Sequence, residues 1–209
     1  SQDSTLTLTL TQSSPTTPGQ QNKQPLHIPL KLGLLNTDGS VASTFIKDNE
    51  PKEELIIELK QQQQSYVFEQ LNEKPVISLL RGFSAPIILK QQQSLEQLAF
   101  LLSHDPDTFN RWEAGQKIST QIIFALIEDL QQGRAMQLNP ILVEAYKNIL
   151  LLDWDDLSYF SLLLALPEEN YLAGQMQVID VDAIHQAREF VKTSLAEHLK
   201  QTFTDLYQC

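Results

Sequence analysis

The hydrophobic periodicity of this 209-residue chain changes between residues 82 and 119, and that change limits what it can fold into. Before this stretch, apolar and polar residues alternate in short runs broken by turn residues, a pattern typical of half-buried β-strands. After it, apolar residues recur three and four positions apart, as in amphipathic helices. The pattern predicts an all-β domain over residues 1–92 and an all-α domain over residues 93–209.

The first half predicts a sandwich of about seven short strands. Leu6, Leu8 and Leu10 alternate with Thr in one run, and a second run alternates from Leu26 to Leu34 with Pro29 inside it, which favours an edge strand or a bulge. Turn sequences and two Gln runs, which we assign to loops, separate the remaining segments. The predicted strands are Thr5–Gln12, Leu26–Leu34, Val41–Ile46, Leu55–Leu59, Tyr66–Phe68, Val76–Leu80 and Ile87–Lys90.

The second half predicts helices of about 10–25 residues joined by short turns, arranged as an α-solenoid or irregular helical superhelix. Asp or Asn followed by Pro is suited to the N-cap and first helical positions, which places helix starts at Asp105 and Asn139. Further caps are expected at Ser94, at Asp153 or Asp155, and at Asp180. The last helix is predicted to run from Asp180 past Leu206, with Leu206 facing inward.

Charge and composition exclude several classes of function. The formal net charge is −11, and residues after Lys90 carry 7 Lys and Arg against 17 Asp and Glu, which disfavours nucleic acid and anionic membrane surfaces as partners. No apolar run is long enough to span a bilayer, and the N-terminus does not resemble a signal peptide. The single cysteine, Cys209, allows no internal disulfide, so we expect a soluble, cytoplasmic protein. The strand pattern begins almost at the first residue, and the helical pattern continues to the last without a closing Gly, Asn or Pro. We therefore also expect this chain to be a fragment of a longer protein.

The spacing of the histidines does not match a zinc-peptidase motif. A zinc-peptidase motif places two imidazoles one helical turn apart with Glu between them, and none of the four histidines (His27, His104, His185, His198) has that spacing. Asp182, His185 and Glu189 come nearest, because they are three and four residues apart. An ordinary solvated helix face explains that spacing as well, so we assign no metal ligand.

Other constellations also have non-catalytic explanations. The adjacent carboxylates Asp155-Asp156 and Glu168-Glu169 fall in first helical turns, where the helix dipole favours negative charge. Trp112 is either a stacking platform or a core residue, and helical spacing favours the core. We therefore predict no catalytic, cofactor-binding or metal-binding residue in this chain, and interpret Arg111, Trp112 and Glu113 as packing and pairing residues.

Four segments, in this order, resemble the bacterial aminopeptidase N (alanyl aminopeptidase) family of zinc exopeptidases. The segments are KQPLHIPL (23–30), FSAPIIL (83–89), LAFLLSHDPDTFNRWEAGQ (98–116) and VIDVDAIHQARE (178–189). The resemblance implies a small β-sandwich followed by the first part of a C-terminal helical superhelix, both beyond the catalytic domain.

The resemblance also implies what the chain lacks and what it contacts. The family's zinc motif, amine-binding motif and assisting Tyr have no counterpart here, so zinc would belong to the parent enzyme and this chain alone would be inactive. The parent would act on peptides, with the sandwich as a spacer and the helices as a cap packed against its catalytic domain. The alternative is a standalone scaffold that binds peptides or proteins.

Overall fold

The fold comes from a computed structural model that describes residues 4–43, 45–46 and 52–208. The predictions for Cys209 and for the loop over residues 47–51 lie outside the described residues. The chain divides into two compact units, and the division does not follow chain order. The first unit comprises Ser1–Gln91 with His104–Asn110, and the second comprises Gln92–Ser103 with Arg111–Cys209.

The first unit contains two antiparallel sheets. One has the strand order β1-β6-β4, and in the other β2 pairs with β3, β5 and β7. Leu32 pairs with both Leu55 and Leu79, so β5 and β7 flank β2 on opposite edges. The strands are β1 (Ser4–Thr11), β2 (Ile28–Leu35), β3 (Val41–Ala42), β4 (Phe45–Ile46), β5 (Leu55–Leu59), β6 (Gln63–Leu71) and β7 (Val76–Leu79).

Alternation along the strands builds the core of this unit. Leu30, Leu32 and Leu34 of β2 are buried together with Phe68 of β6, which is completely inaccessible to solvent. Leu6, Leu8 and Leu10 of β1 pack against the same cluster while the intervening Thr residues face outward. Period-two alternation therefore identified the buried face of both strands correctly.

Three strand predictions differ from the structure. Residues 41–46 form two short strands in different sheets, and residue 44 between them is not described. No strand forms over 87–90, because the Ile87 amide donates to the Ala85 carbonyl in a tight turn and Ile88 is 89% exposed. Gln63 and Gln64, assigned to a loop, belong to β6 and pair with β1.

The second unit is built from helices whose apolar faces are buried as predicted. Leu98, Leu101 and Leu102 are buried in the first helix, and Ile122, Ile123, Leu126 and Ile127 are buried in the second. In the described part of the chain no helix is both long and apolar enough to cross a lipid bilayer. The helices are α1 (Leu95–His104), α2 (Thr108–Gln131), α3 (Pro140–Leu150), α4 (Leu157–Leu164), α5 (Glu169–Ala173), α6 (Val181–His198) and α7 (Lys200–Gln208).

Three predicted helix starts are correct and two are shifted. Ser94, Asn139 and Asp180 cap α1, α3 and α6 as expected. The start of α2 is capped by Asp107, whose Oδ1 accepts from the Asn110 amide, and Asp105 is instead buried. The cap of α4 is Asp156, one residue beyond the predicted pair, and it accepts two backbone amides.

The C-terminal helices are shorter than predicted. The segment before the final helix forms only the short α5, and the long final helix is divided at Leu199 into α6 and α7. Leu199 remains buried, but Leu206 in α7 is 43% exposed, so its predicted inward position is wrong for the described residues.

Candidate functional site

The four histidines have separate surroundings. His27 and His185 each contact a carboxylate, whereas His104 packs on the backbone of Gly39, where an added Cβ would overlap its ring. The shortest contacts of the other three are His27 Nε2–Glu58 Oε1 at 3.2 Å, His185 Nδ1–Glu169 Oε1 at 2.8 Å and His198 Nδ1–Ser194 O at 2.7 Å.

Two of the three residues nearest to a metal site have other partners. His185 pairs with Glu169 of α5, and Glu189 contacts Arg188 and Lys192 on its own helix. Over residues 4–43, 45–46 and 52–208, no three His, Cys, Asp or Glu side chains are grouped as a metal site requires. The residues present therefore do not fit the zinc ion that the family resemblance implies, and we derive no chemical step through it.

The adjacent carboxylates have structural roles at helix starts. Asp156 Oδ1 accepts hydrogen bonds from the Ser158 and Tyr159 amides at 2.9 and 3.0 Å. Glu169 lies in the first turn of α5 and pairs with His185. Backbone amides thus bind the Asp156 carboxylate and an imidazole binds that of Glu169, in keeping with their predicted positions at helix starts.

A buried polar cluster surrounds Arg81 in the first unit. The Arg81 side chain is 4% exposed, and its Nη2 lies 3.4 Å from Oδ1 of Asp105, which is fully buried. Arg81 Nε donates to Ser78 Oγ at 2.9 Å, and Nη1 lies 3.8 Å from Glu54 Oε1 at the half-exposed side of the cluster. Asn110 Nδ2 donates to Ser78 Oγ and to the Leu79 carbonyl.

Local backbone geometry directs Arg81 inward. Leu80 has φ 66° and Gly82 has φ 58°, so the short 3-10 turn Arg81–Phe83 is flanked and interrupted by left-handed residues. Gly33 of β2 provides the space, because a Cβ there would overlap the guanidinium carbon and both terminal nitrogens of Arg81. The buried position of the Arg81 guanidinium therefore requires a glycine at residue 33.

The segment His104–Asn110 completes the cluster. Asp105 Oδ1 accepts from the Asp107 amide at 3.0 Å, and Asp107 Oδ2 accepts from the Gly82 amide at 2.9 Å. Burial raises the pKa of Asp105, while hydrogen bonds from Ser78 and Asp107 and the charge of Arg81 act against that rise. The Asn110 Oδ1 atom is buried and accepts no hydrogen bond from the described residues. The cluster joins residues 78–82 to 104–110 and serves as a structural lock.

Sequence reasoning did not single out Arg81, Ser78 or Asn110. The available signals were a lone arginine at the end of an apolar strand, in SLLRGF, and a glycine inside another strand, in LKLGL. A buried arginine needs an anionic or polar partner, and nothing in the local spacing indicates that Asp105 supplies it from 24 residues away.

A groove of about 480 Å³ lies in the second unit, between the first half of α2 and the segment from α4 to α5. Its lining combines aromatic, aliphatic and charged side chains. Leu162 is 56% exposed and Tyr171 is 53% exposed, which is high for side chains of this size. The lining residues are Trp112, Glu113, Gln116, Lys117, Leu162, Ala165, Leu166, Glu168 and Tyr171.

The predicted packing residues are placed on different sides of α2. The Arg111 guanidinium carbon lies 5.3 Å from the ring centroid of Trp154, a cation–π distance. Glu113 pairs with Lys117 one turn later at 3.2 Å. Trp112 is partly buried and lines the groove, so it belongs neither wholly to the core nor to an open surface.

Two family models together match nearly the whole chain. The model described as "Domain of unknown function (DUF3458) Ig-like fold" matches residues 1–92. The model described as "Domain of unknown function (DUF3458_C) ARM repeats" matches residues 95–209, more than half of the chain. The chain therefore belongs to this family, with an Ig-like fold over residues 1–92 and ARM repeats over residues 95–209. The predicted fold class, a β-sandwich followed by a helical superhelix, is confirmed.

The relatives include bacterial proteins named Aminopeptidase N. The chain is 34% identical over 201 residues to that of Escherichia coli (strain K12), covering 96% of this chain and 23% of the relative. The Caulobacter vibrioides protein is 38% identical over 173 residues, covering 80% and 18%. The chain thus spans about a quarter of the length of the first of these relatives and matches their C-terminal region, which confirms the resemblance to bacterial aminopeptidase N.

A solved structure agrees with these relatives. The chain is similar to the crystal structure of Legionella pneumophila aminopeptidase A in complex with aspartic acid, with a TM-score of 0.72 and 26% sequence identity. The match covers 97% of this chain and 21% of that protein. Both units therefore have counterparts, in the same order, in one part of a larger aminopeptidase.

Proposed function

We propose that this chain is a non-catalytic C-terminal part of a zinc-dependent aminopeptidase that removes N-terminal residues from peptides. One observation carries the proposal: the similarity extends over 96% of the chain but reaches only 23% of a protein named Aminopeptidase N. The catalytic residues and the zinc ligands would then lie in the part of the longer protein that this chain does not include.

The side chains of the described residues support a structural role. The buried charges of the first unit are used to hold its own segments together, and the histidines contact carboxylates or backbone rather than one another. We propose that residues 1–92 act as a spacer, and that residues 93–209 form part of a cap over the active-site chamber. In this proposal the chain packs against its own catalytic domain in a cytoplasmic enzyme.

The test compares the chain with the product of the complete gene. We expect the full-length protein to bind stoichiometric zinc and to hydrolyse an aminoacyl-anilide, and the 209-residue chain to do neither. Far-UV circular dichroism of the short chain controls for folding, because a folded but inactive chain is the informative result. Metal-dependent hydrolysis by the short chain alone would contradict the proposal.

A standalone scaffold is the second candidate, and the groove beside Tyr171 is the observation that favours it. A half-exposed apolar groove on a helical-repeat unit is a common way to bind peptides. Sequencing the parent open reading frame separates the two candidates. A complete gene of this length, with its own start and stop codons, would favour the scaffold.

A further inference from the structure

The groove in the second unit is shaped to receive side chains. Its volume of about 480 Å³ falls within the range of pockets that bury small ligands or a few side chains. One wall is fixed, because Gln116 Nε2 donates to the Ala165 carbonyl at 2.9 Å and Arg188 Nε donates to the Pro167 carbonyl at 2.8 Å. These two bonds hold the link between α4 and α5 in place, so the groove is largely formed before anything binds.

The lining selects for an apolar group. Leu162, Leu166 and Trp112 supply hydrocarbon and aromatic surface, and Tyr171 stands more than half exposed at the opening. Adjacent exposed apolar side chains of this size mark an interaction surface more often than a solvated one. An aliphatic or aromatic side chain that entered the groove would cover Leu162 and Tyr171 together.

The charges around the groove select for a cation. Glu113 is already paired with Lys117 at 3.2 Å, and Glu168 adds a second carboxylate to the lining. Three charged residues thus give a net charge of −1, within a half of the chain that carries 7 basic against 17 acidic residues. A Lys or Arg next to the apolar side chain would complement this rim.

We propose that the groove seats a segment of the same, longer polypeptide, in which an apolar side chain neighbours a Lys or Arg. This inference rests on the proposed function, since relatives are more than four times as long as the region matched here. A covalently attached segment has a high effective concentration, so even a modest groove is filled without high intrinsic affinity. The occupant is thus intramolecular, in contrast to the free peptide that a scaffold would bind.

The test places a photoreactive phenylalanine derivative at Tyr171 of the full-length protein. Illumination is expected to give an intramolecular cross-link that mass spectrometry maps to a segment outside these 209 residues, with an apolar residue beside Lys or Arg. The same derivative at Tyr207, which is 94% exposed on α7, is the matched control and should not label that segment. Adding Glu168→Lys should lower the cross-link yield roughly tenfold, and Glu168→Gln should lower it less.

Three results would overturn the inference: no cross-link from residue 171, a cross-link only between two copies, or one only to added peptide. Aminopeptidase activity of the same preparation is measured in parallel. An active protein without the intramolecular link refutes the groove assignment and leaves the proposed function intact. An inactive protein with the link refutes the proposed function and supports the groove assignment.

Discussion

Replacing Arg81 by methionine removes the cation of the buried cluster while keeping an apolar stem of similar length. Asp105 is fully buried, and its Oδ1 lies 3.4 Å from the guanidinium. Removing one partner of a buried ion pair costs about 3–5 kcal/mol, because the remaining charge stays desolvated. Asp105 retains the Asp107 amide, so we expect the lower end, about 3 kcal/mol.

Amide hydrogen exchange followed by mass spectrometry is the appropriate assay, because Trp112 and Trp154 both belong to the second unit and do not report on the first. A loss of about 3 kcal/mol corresponds to roughly 100-fold faster exchange of protected amides in β2 and β7. The double variant R81M/D105L should recover part of the loss, because replacing both buried charges by apolar groups removes the desolvation cost.

The pH dependence has a defined sign. Burial raises the pKa of Asp105 above its ordinary value of 3.8, so its ionisation opposes folding. In R81M the raising effect is larger, because the attractive charge is gone. The stability deficit should therefore be smallest near pH 4 and should grow as the pH rises through the folded pKa towards neutrality.

Lys60→Met is the matched control. Lys60 and Glu58 form an ion pair of 2.5 Å, but both side chains are more than half exposed, and exposed pairs contribute little to stability. The prediction is refuted if R81M accelerates exchange in β7 no more than K60M does, or if its deficit is independent of pH. The first result would mean that the buried cluster contributes no more than a surface contact, and the second that the unpaired charge of Asp105 is not the source of the deficit.

Three further outcomes are expected. Gly33→Ala should destabilise the first unit by about 1–3 kcal/mol through overlap with Arg81, measured as faster amide exchange in β2. The double variant with R81M should lose less stability than the sum of the two single losses, because the overlapping guanidinium is absent. Asn139→Ala should cost about 1 kcal/mol in a thermal melt followed by circular dichroism, whereas Asn139→Asp should retain the cap. Hydrogen bonds from Gln131 and the Ala183 amide lower the pKa of Asp180 below 3.8, so protection of α6 should fall as the pH drops below that value, and Asp180→Asn should flatten the dependence.

Hydrophobic periodicity correctly predicted which face of a single strand or helix is buried. Leu30 and Leu32 in β2, and Ile122 and Ile123 in α2, are buried as their spacing requires. Residues 87–90 begin with three consecutive apolar residues and were predicted to form a strand, yet they form none. A short apolar run is compatible with a strand, but a strand also needs a neighbour with free backbone groups, and that neighbour is not visible locally.

The candidate sites were harder to predict because their members are distant in sequence. Asp105 has the local features of a helix cap, and it is instead buried with Arg81, so a tertiary interaction overrides the local signal. The groove draws on residues from 112 to 171, and although Trp112, Glu113 and Glu168 were considered from sequence, nothing there placed them in one lining. Caps whose backbone N–H donors lie within three residues, such as Asn139 and Asp180, were predictable from sequence.

The interleaved division of the chain decides where this protein can be cut. A truncated chain that ends at residue 92, where the strand pattern stops, would keep Arg81 and lose Asp105, Asp107 and Asn110. A chain that ends at residue 110 would keep all four, at the expense of exposing the apolar face of α1, which belongs to the other unit. No single cut therefore separates the two units completely. Limited proteolysis between residues 92 and 104 should give two fragments, and the N-terminal one should lack the segment His104–Asn110 of its own unit.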